Sequence, residues 1–305
     1  MTIFKKITGI GTAALLALTL TACGSDDTND SSKGKAEAGS RSVGETVEYN
    51  IVGIDPGSGH MEATAKALEV YDLKDWNVIA GNGAAMTAAL KRAYDKEEPI
   101  VITGWNPHWK FLKYDLKFLD DPELVYGDSE EIHSIGRIGL QKDLPEAYEI
   151  FQRFKWGTDD MSEIMVAIED GTKPEKAAQN WVDANEDKIA EWTSGVNKVD
   201  GDEIKLVYAP WDSEIASHNM MKIVLEDMGY DVTLTAVEPG PMFSAIADGG
   251  ADATFAAWLP ITHKTYVEKF EGKLDDIGVN MVGVRQGLVV PAYMEDVNSI
   301  EDLKK

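Results

Sequence analysis

Two stretches decide how this chain is read: VITGWNPHWKF, residues 101–111, and ATFAAWLPITH, residues 253–263. Each begins as an apolar run of strand character. Each ends on a tryptophan, Trp105 or Trp258, followed two residues later by Pro107 or Pro260. A strand end is a costly place to leave a large aromatic ring, and this chain does so twice.

The surroundings of the two stretches repeat as well. Before the first, VEYNIVGID (47–55) reads as a strand and GHMEATAKALEVYDL (59–73) as a helix, with Met61, Ala65, Leu68 and Leu73 near a 3.6-residue period. WNVIAG, AAMTAALKRAYDK and PIVITGW then read as strand, helix and strand. After residue 202 the same order returns in EIKLVYAP, SEIASHNMMKIVLEDMG, YDVTLTAV, PMFSAIADGG and ADATFAAW. The match continues past the tryptophans, where residues 132–154 parallel residues 281–303. The pattern is an internal duplication with a period of about 150 residues. It predicts two α/β lobes, each a mostly parallel sheet covered by helices. The expected boundaries are 46–200 for the first lobe and 201–305 for the second, with strands free to cross between them. The charged helical segment 172–203 joins the copies.

In sheets of this kind ligands bind beyond the carboxyl ends of the strands. Trp105 and Trp258 both sit there, one in each copy. Trp211, in YAPWDSE, takes a third such position after the strand ending at Tyr208. Trp76, Trp156, Trp181 and Trp192 lie in or beside amphipathic helices and read as packing or rim residues, and Trp109 reads as packing at a helix start. Three indole faces around one cleft make an aromatic cage. Such a cage suits a quaternary ammonium, which has no N–H to donate and is attracted by the ring quadrupole. A buried carboxylate would attract the same cation at a heavy desolvation cost.

The other end of a ligand has its own candidates. Gly57-Ser58-Gly59-His60 joins the first strand to its helix, where backbone N–H groups favour an anion. A plain tight turn uses the same residues, and neither a dinucleotide fingerprint nor a P-loop lysine follows. Gly59, His60 and His263 are candidate partners for a small carboxylate.

The N-terminus carries a different signal. Lys5 and Lys6 precede an uncharged run to Ala22 that is short for a membrane span and suits a signal peptide. Leu20-Thr21-Ala22-Cys23 resembles the lipobox of bacterial lipoproteins, and Cys23 is the only cysteine, so no internal disulfide can form. The expected plan is a signal peptide over 1–22, then a lipid-anchored flexible tether over 23–45. The formal charge of −24 argues against nucleic acid or anionic lipid as a general partner. Neither a G-x-S-x-G elbow nor an H-E-x-x-H metal motif is present, which argues against a hydrolase of betaine or choline esters.

GIDPGSGH, GWNPHWKF, WDSEIAS and AWLPITH together resemble the glycine-betaine substrate-binding proteins of the OpuA-type ABC importers, over about residues 47–303. The resemblance implies a two-lobed periplasmic-binding-protein (type II) fold that closes on its ligand. It implies that Trp105, Trp211 and Trp258 hold the trimethylammonium head. It also implies that backbone amides at Gly59 and His60, together with His263, hold the carboxylate. Position 60 departs from the family pattern, where an apolar residue is expected. The implied partners are an ABC permease and, through it, an ATPase; the implied location is the outer face of the cytoplasmic membrane through the Cys23 lipid. The resemblance implies no metal, cofactor or catalysis. Proline betaine, carnitine, choline and a sulfonium analogue stay open as ligands, although choline lacks the carboxylate that Gly59, His60 and His263 would read.

Overall fold

The computed structural model describes residues 42–305. The expected signal peptide, Cys23 and nearly all of the expected tether lie outside them. The tether's last residues are already structured: Ser42 caps a one-turn helix α1 (Val43–Thr46), accepting from the Glu45 amide while the Glu45 carboxylate accepts from Ser42 N.

The first copy then runs β1 (Asn50–Val52), α2 (Gly59–Val70), β2 (Asn77–Ile79), α3 (Gly83–Tyr94) and β3 (Val101–Asn106). Local chemistry starts the helices where the sequence does. Ser58 Oγ accepts from the Met61 amide at the head of α2, and Asn82 Oδ1 from the Ala85 amide at the head of α3. α4 (Lys110–Lys113), β4 (Leu116–Phe118), β5 (Glu130–Arg137), α5 (Leu140–Asp143) and α6 (Pro145–Arg153) follow. α7 (Thr158–Glu169), α8 (Pro174–Ala184) and α9 (Glu186–Thr193) lead to the second copy. That copy runs β6 (Glu203–Tyr208), α10 (Asp212–Asp227), β7 (Asp231–Ala236), α11 (Pro239–Ala247) and β8 (Ala253–Leu259). After α12 (Lys264–Lys269), the long strand β9 (Leu274–Pro291) returns to the first copy, and a 3-10 turn (Ile300–Lys304) ends the chain.

Strand pairing shows how the copies interlock. β1 pairs in parallel with β2 and β3, and β6 with β7 and β8, as the repeat predicts. The fourth strand of each copy is exchanged. β5, from the first copy, lies antiparallel to β8 of the second. The end of β9, from the second copy, lies antiparallel to β3 of the first, with Trp105 opposite Gln286. The earlier part of β9 pairs with β5, so the two halves join as one continuous path, β2-β1-β3-β9-β5-β8-β6-β7. By pairing, one lobe holds β1 to β4 and β9 from Arg285 onward; the other holds β5 to β8 and β9 up to Val284. The pairing therefore does not divide at residue 200. The sheets are also less parallel than expected, because the exchanged strands and β4 enter antiparallel.

α2 is rotated from the face that its apolar residues suggest. It buries His60, Ala63, Thr64 and Ala67, while Ala65 is exposed. The two polar residues enter the interior because each is satisfied there. Thr64 Oγ1 donates to the His60 carbonyl and accepts from Tyr126 OH, and His60 Nε2 donates to the Gly287 carbonyl at 3.2 Å. The five blander tryptophans are all buried. Trp192 packs edge-on against Phe154 and is stacked near Trp181 in the second lobe's core.

Candidate functional site

Trp105 and Trp258 occupy the next-to-last positions of β3 and β8, and Trp211 is the residue before α10. Each is followed or preceded by backbone that turns at the carboxyl end of a strand, so all three rings meet between the lobes. A small cavity is walled by Ile54, His60, Trp105, Trp211, Trp258, Thr262 and Gln286. Every tryptophan in this wall is at most 5% exposed. The Trp105 and Trp211 ring centroids lie 6.3 Å apart at 47°, leaving their faces angled rather than stacked.

The lobes hold Trp211 from both sides. Its indole N–H donates to Asp55 Oδ2 across the cleft at 2.8 Å. Its ring lies parallel to the His263 imidazole, 5.9 Å between centroids and 6° between planes. His263 is wholly buried, and burial pulls its pKa down to about 3, so the ring is neutral. Nδ1 accepts from the Trp258 amide at 2.9 Å, which puts the proton on Nε2. That Nε2–H has no partner among the described residues. A buried, unpaired donor is costly to maintain without an acceptor. His263 is not itself part of the cavity wall.

His60 does line the cavity, and its ring meets Trp105 edge-on at 6.3 Å. Burial lowers its pKa to about 3, so it too is neutral. Its proton is already given to Gly287 O, so the side chain braces Trp105 rather than offering a donor. The Gly59 and His60 N–H groups are the first of α2 and have no acceptor within the helix. Gly59 sits where a Cβ would collide with the Thr262 carbonyl oxygen from the opposite lobe. Its missing side chain is what lets the lobes meet there. The Thr262 segment is in turn fixed by Glu130, whose carboxylate accepts from Ile261 N, Thr262 N and Thr262 Oγ1 at 3.0, 2.7 and 2.7 Å.

Several wall residues carry no signature in the sequence. Gln286 is 4% exposed, and both its amide atoms lack partners. It stands beside Arg285, ahead of the apolar run at residues 288–290, and nothing in that pattern marks it. Ile54 and Thr262 read as ordinary core and loop residues. Asp55 ends the first strand-like stretch and could have been noticed as an acid at a carboxyl end. No cluster of metal-ligating side chains exists among the described residues. No helix among them is long and apolar enough to cross a membrane.

A family model described as the substrate binding domain of an ABC-type glycine betaine transport system matches residues 27–184 and 202–305. The chain is 47% identical over 302 residues, 98% of each chain, to the glycine betaine/carnitine transport binding protein GbuC of Listeria monocytogenes serotype 1/2a (strain 10403S). Among solved structures, lactococcal OpuAC in its closed-liganded conformation with glycine betaine is 45% identical at a TM-score of 0.48. That match covers 49% of this chain and 59% of the other. An ABC-transporter choline binding protein in complex with choline is 28% identical at a TM-score of 0.45, over 50% of this chain and 55% of the other. The chain therefore belongs to the family of substrate-binding domains of ABC-type glycine betaine transport systems, and is a two-lobed binding protein rather than an enzyme.

Proposed function

We propose that this protein captures glycine betaine outside the cell and delivers it to a membrane permease driven by an ATPase, as a step of osmoprotective uptake. The observation that carries the reading is the cavity itself: three indole rings and no carboxylate in its wall. Such a wall attracts a trimethylammonium group by cation–π interaction and leaves no carboxylate lining the cavity when the ligand leaves. The carboxylate end is assigned to His263 Nε2–H and the Gly59 and His60 amides. All are donors, and the imidazole is neutral, so each can pair with an anion without first losing another partner. Cys23 is assigned the lipid that holds the protein at the outer face of the membrane.

Carnitine is the second reading, because the Listeria relative's name includes it. It shares the trimethylammonium and the carboxylate but separates them further. Calorimetric titration with glycine betaine, carnitine, proline betaine and choline tests both. Glycine betaine is expected to bind tightest and choline weakest. Choline binding as tightly as glycine betaine would remove the carboxylate from the reading.

A further inference from the structure

Lys110 follows the second tryptophan of GWNPHWKF and is wholly buried. Its Nζ lies 4.2 Å from the centroid of the Trp105 ring and 5.4 Å from that of Phe111, and has no hydrogen-bond partner among the described residues. Its Cε passes beside Gly104. Lys110 is not part of the cavity wall, and its ammonium lies over the ring of Trp105, which is.

We propose that Lys110 is a specificity-determining residue: its buried ammonium, packed over the Trp105 ring, selects zwitterionic methylammonium ligands over those with a net positive charge. This rests on the reading of the cavity as a cage for a methylated ammonium. A cation seated against the cavity face of Trp105 lies within roughly 10 Å of Nζ. Across that distance, through a poorly screened interior, two positive charges repel measurably. A ligand that also carries a carboxylate recovers most of that cost, because its anion is attracted by the same ammonium. A ligand such as choline has nothing to offset it. The device is a repulsive element aimed at the wrong ligand.

The groups facing Lys110 leave its charge uncancelled by an ion pair. From α10, Asp212 attracts the ammonium through space, and it contacts His108 Nε2 at 3.3 Å. His108 accepts the Lys110 N–H through Nδ1, and burial lowers its pKa to about 4. His60, on α2, is lowered to about 3. Arg285, on β9, lies over the Phe118 ring, which stacks on Phe111. Burial lowers the Lys110 pKa to about 7, against the attraction of Asp212. The histidines stay neutral and Asp212 stays ionised around neutrality, so Lys110 is the member of this set that changes charge there. Glu214 on α10 is also buried, with its pKa raised well above the carboxylate range.

The test is calorimetric titration of the full chain with choline and with glycine betaine, in wild type and in Lys110→Met, at about pH 6 and about pH 8.5, on either side of the Lys110 pKa. At the lower pH, Lys110→Met should tighten choline about tenfold and glycine betaine about threefold or less, narrowing the preference. In wild type the preference should narrow as pH rises and Lys110 loses its proton, and in Lys110→Met it should not change with pH. The wild-type arm stands even if the variant folds poorly. Equal factors for both ligands, or a pH effect that persists in Lys110→Met and so belongs to Glu214, would overturn the inference. Glycine betaine failing to bind wild type would overturn the cage reading and this inference with it. Normal betaine binding with an unchanged preference would overturn this inference alone.

Discussion

Trp211 and Asp55 belong to opposite lobes, and the 2.8 Å bond from the indole N–H to the carboxylate ties a wall of the cavity to the facing lobe. Asp55 is almost fully buried there. On the proposed function, ligand capture and lobe closure share one side chain. Asp55→Ala should weaken glycine betaine binding about ten- to a hundred-fold, the range for a hydrogen bond to a charged group. Asp55→Asn keeps an acceptor and should lose less. Equal losses for the two variants in calorimetry would show that the bond does not matter to closure.

Replacing Trp105, Trp211 or Trp258 by Ala should each cost ~2 kcal/mol or more of binding, as a desolvated cation–π contact does. Phe in the same places should cost less, since a ring face remains. Trp192→Ala should leave affinity nearly intact while lowering stability by about 3–5 kcal/mol, because that ring fills the core of the second lobe. Denaturant melts and titrations of the same four variants separate the two effects.

Gly59→Ala places a methyl group against the Thr262 carbonyl of the facing lobe. Overpacking of this kind costs about 1–3 kcal/mol, and here the cost falls on the closed state. Affinity should drop while the melting temperature without ligand hardly changes. Small-angle scattering with saturating ligand should show a more open particle than wild type.

Four buried histidines make the protein sensitive to acid. Burial holds His60, His218 and His263 at about 3 and His108 at about 4. Unfolding returns each towards 6.5, so between the two values the unfolded chain binds more protons. Stability is then fully present above about pH 6.5 and is lost as pH falls towards 4. Each histidine contributes a slope of about 1.4 kcal/mol per pH unit. Urea unfolding at several pH values measures this. His218→Gln should flatten the slope by one histidine's share, and a flat profile between pH 7 and 5 would falsify the assignment.

Cys23→Ala should release the protein from the membrane without changing its ligand affinity, because the proposed lipid site precedes the two lobes in the chain. Fractionation followed by titration of the released protein checks both halves. Continued membrane association after processing would remove the lipid assignment.

The sequence by itself determined the order of the repeated strands and helices, the duplication and the three tryptophans at strand ends. These follow from local signals: apolar runs set strands, a 3.6-residue period sets helices, and the repeat shows in the order. The sequence also pointed to His60, but not to the direction of its ring. Helix faces are read from apolar residues, and α2 turns inward a histidine and a threonine that find partners only in β9, α2 itself and Tyr126. Tertiary structure alone decided that β5 and β9 are exchanged between the copies. Strand pairing joins residues far apart in the chain, and either fourth strand carries the apolar pattern that either third strand accepts. The exchange puts Gln286 opposite Trp105 and Glu130 beneath Thr262. It was also tertiary structure that buried Lys110. A lysine's charge reads as surface, but its four-carbon stem is apolar, and only the packing of Gly104, Trp105 and Phe111 around it shows that the stem and its charge both lie inside.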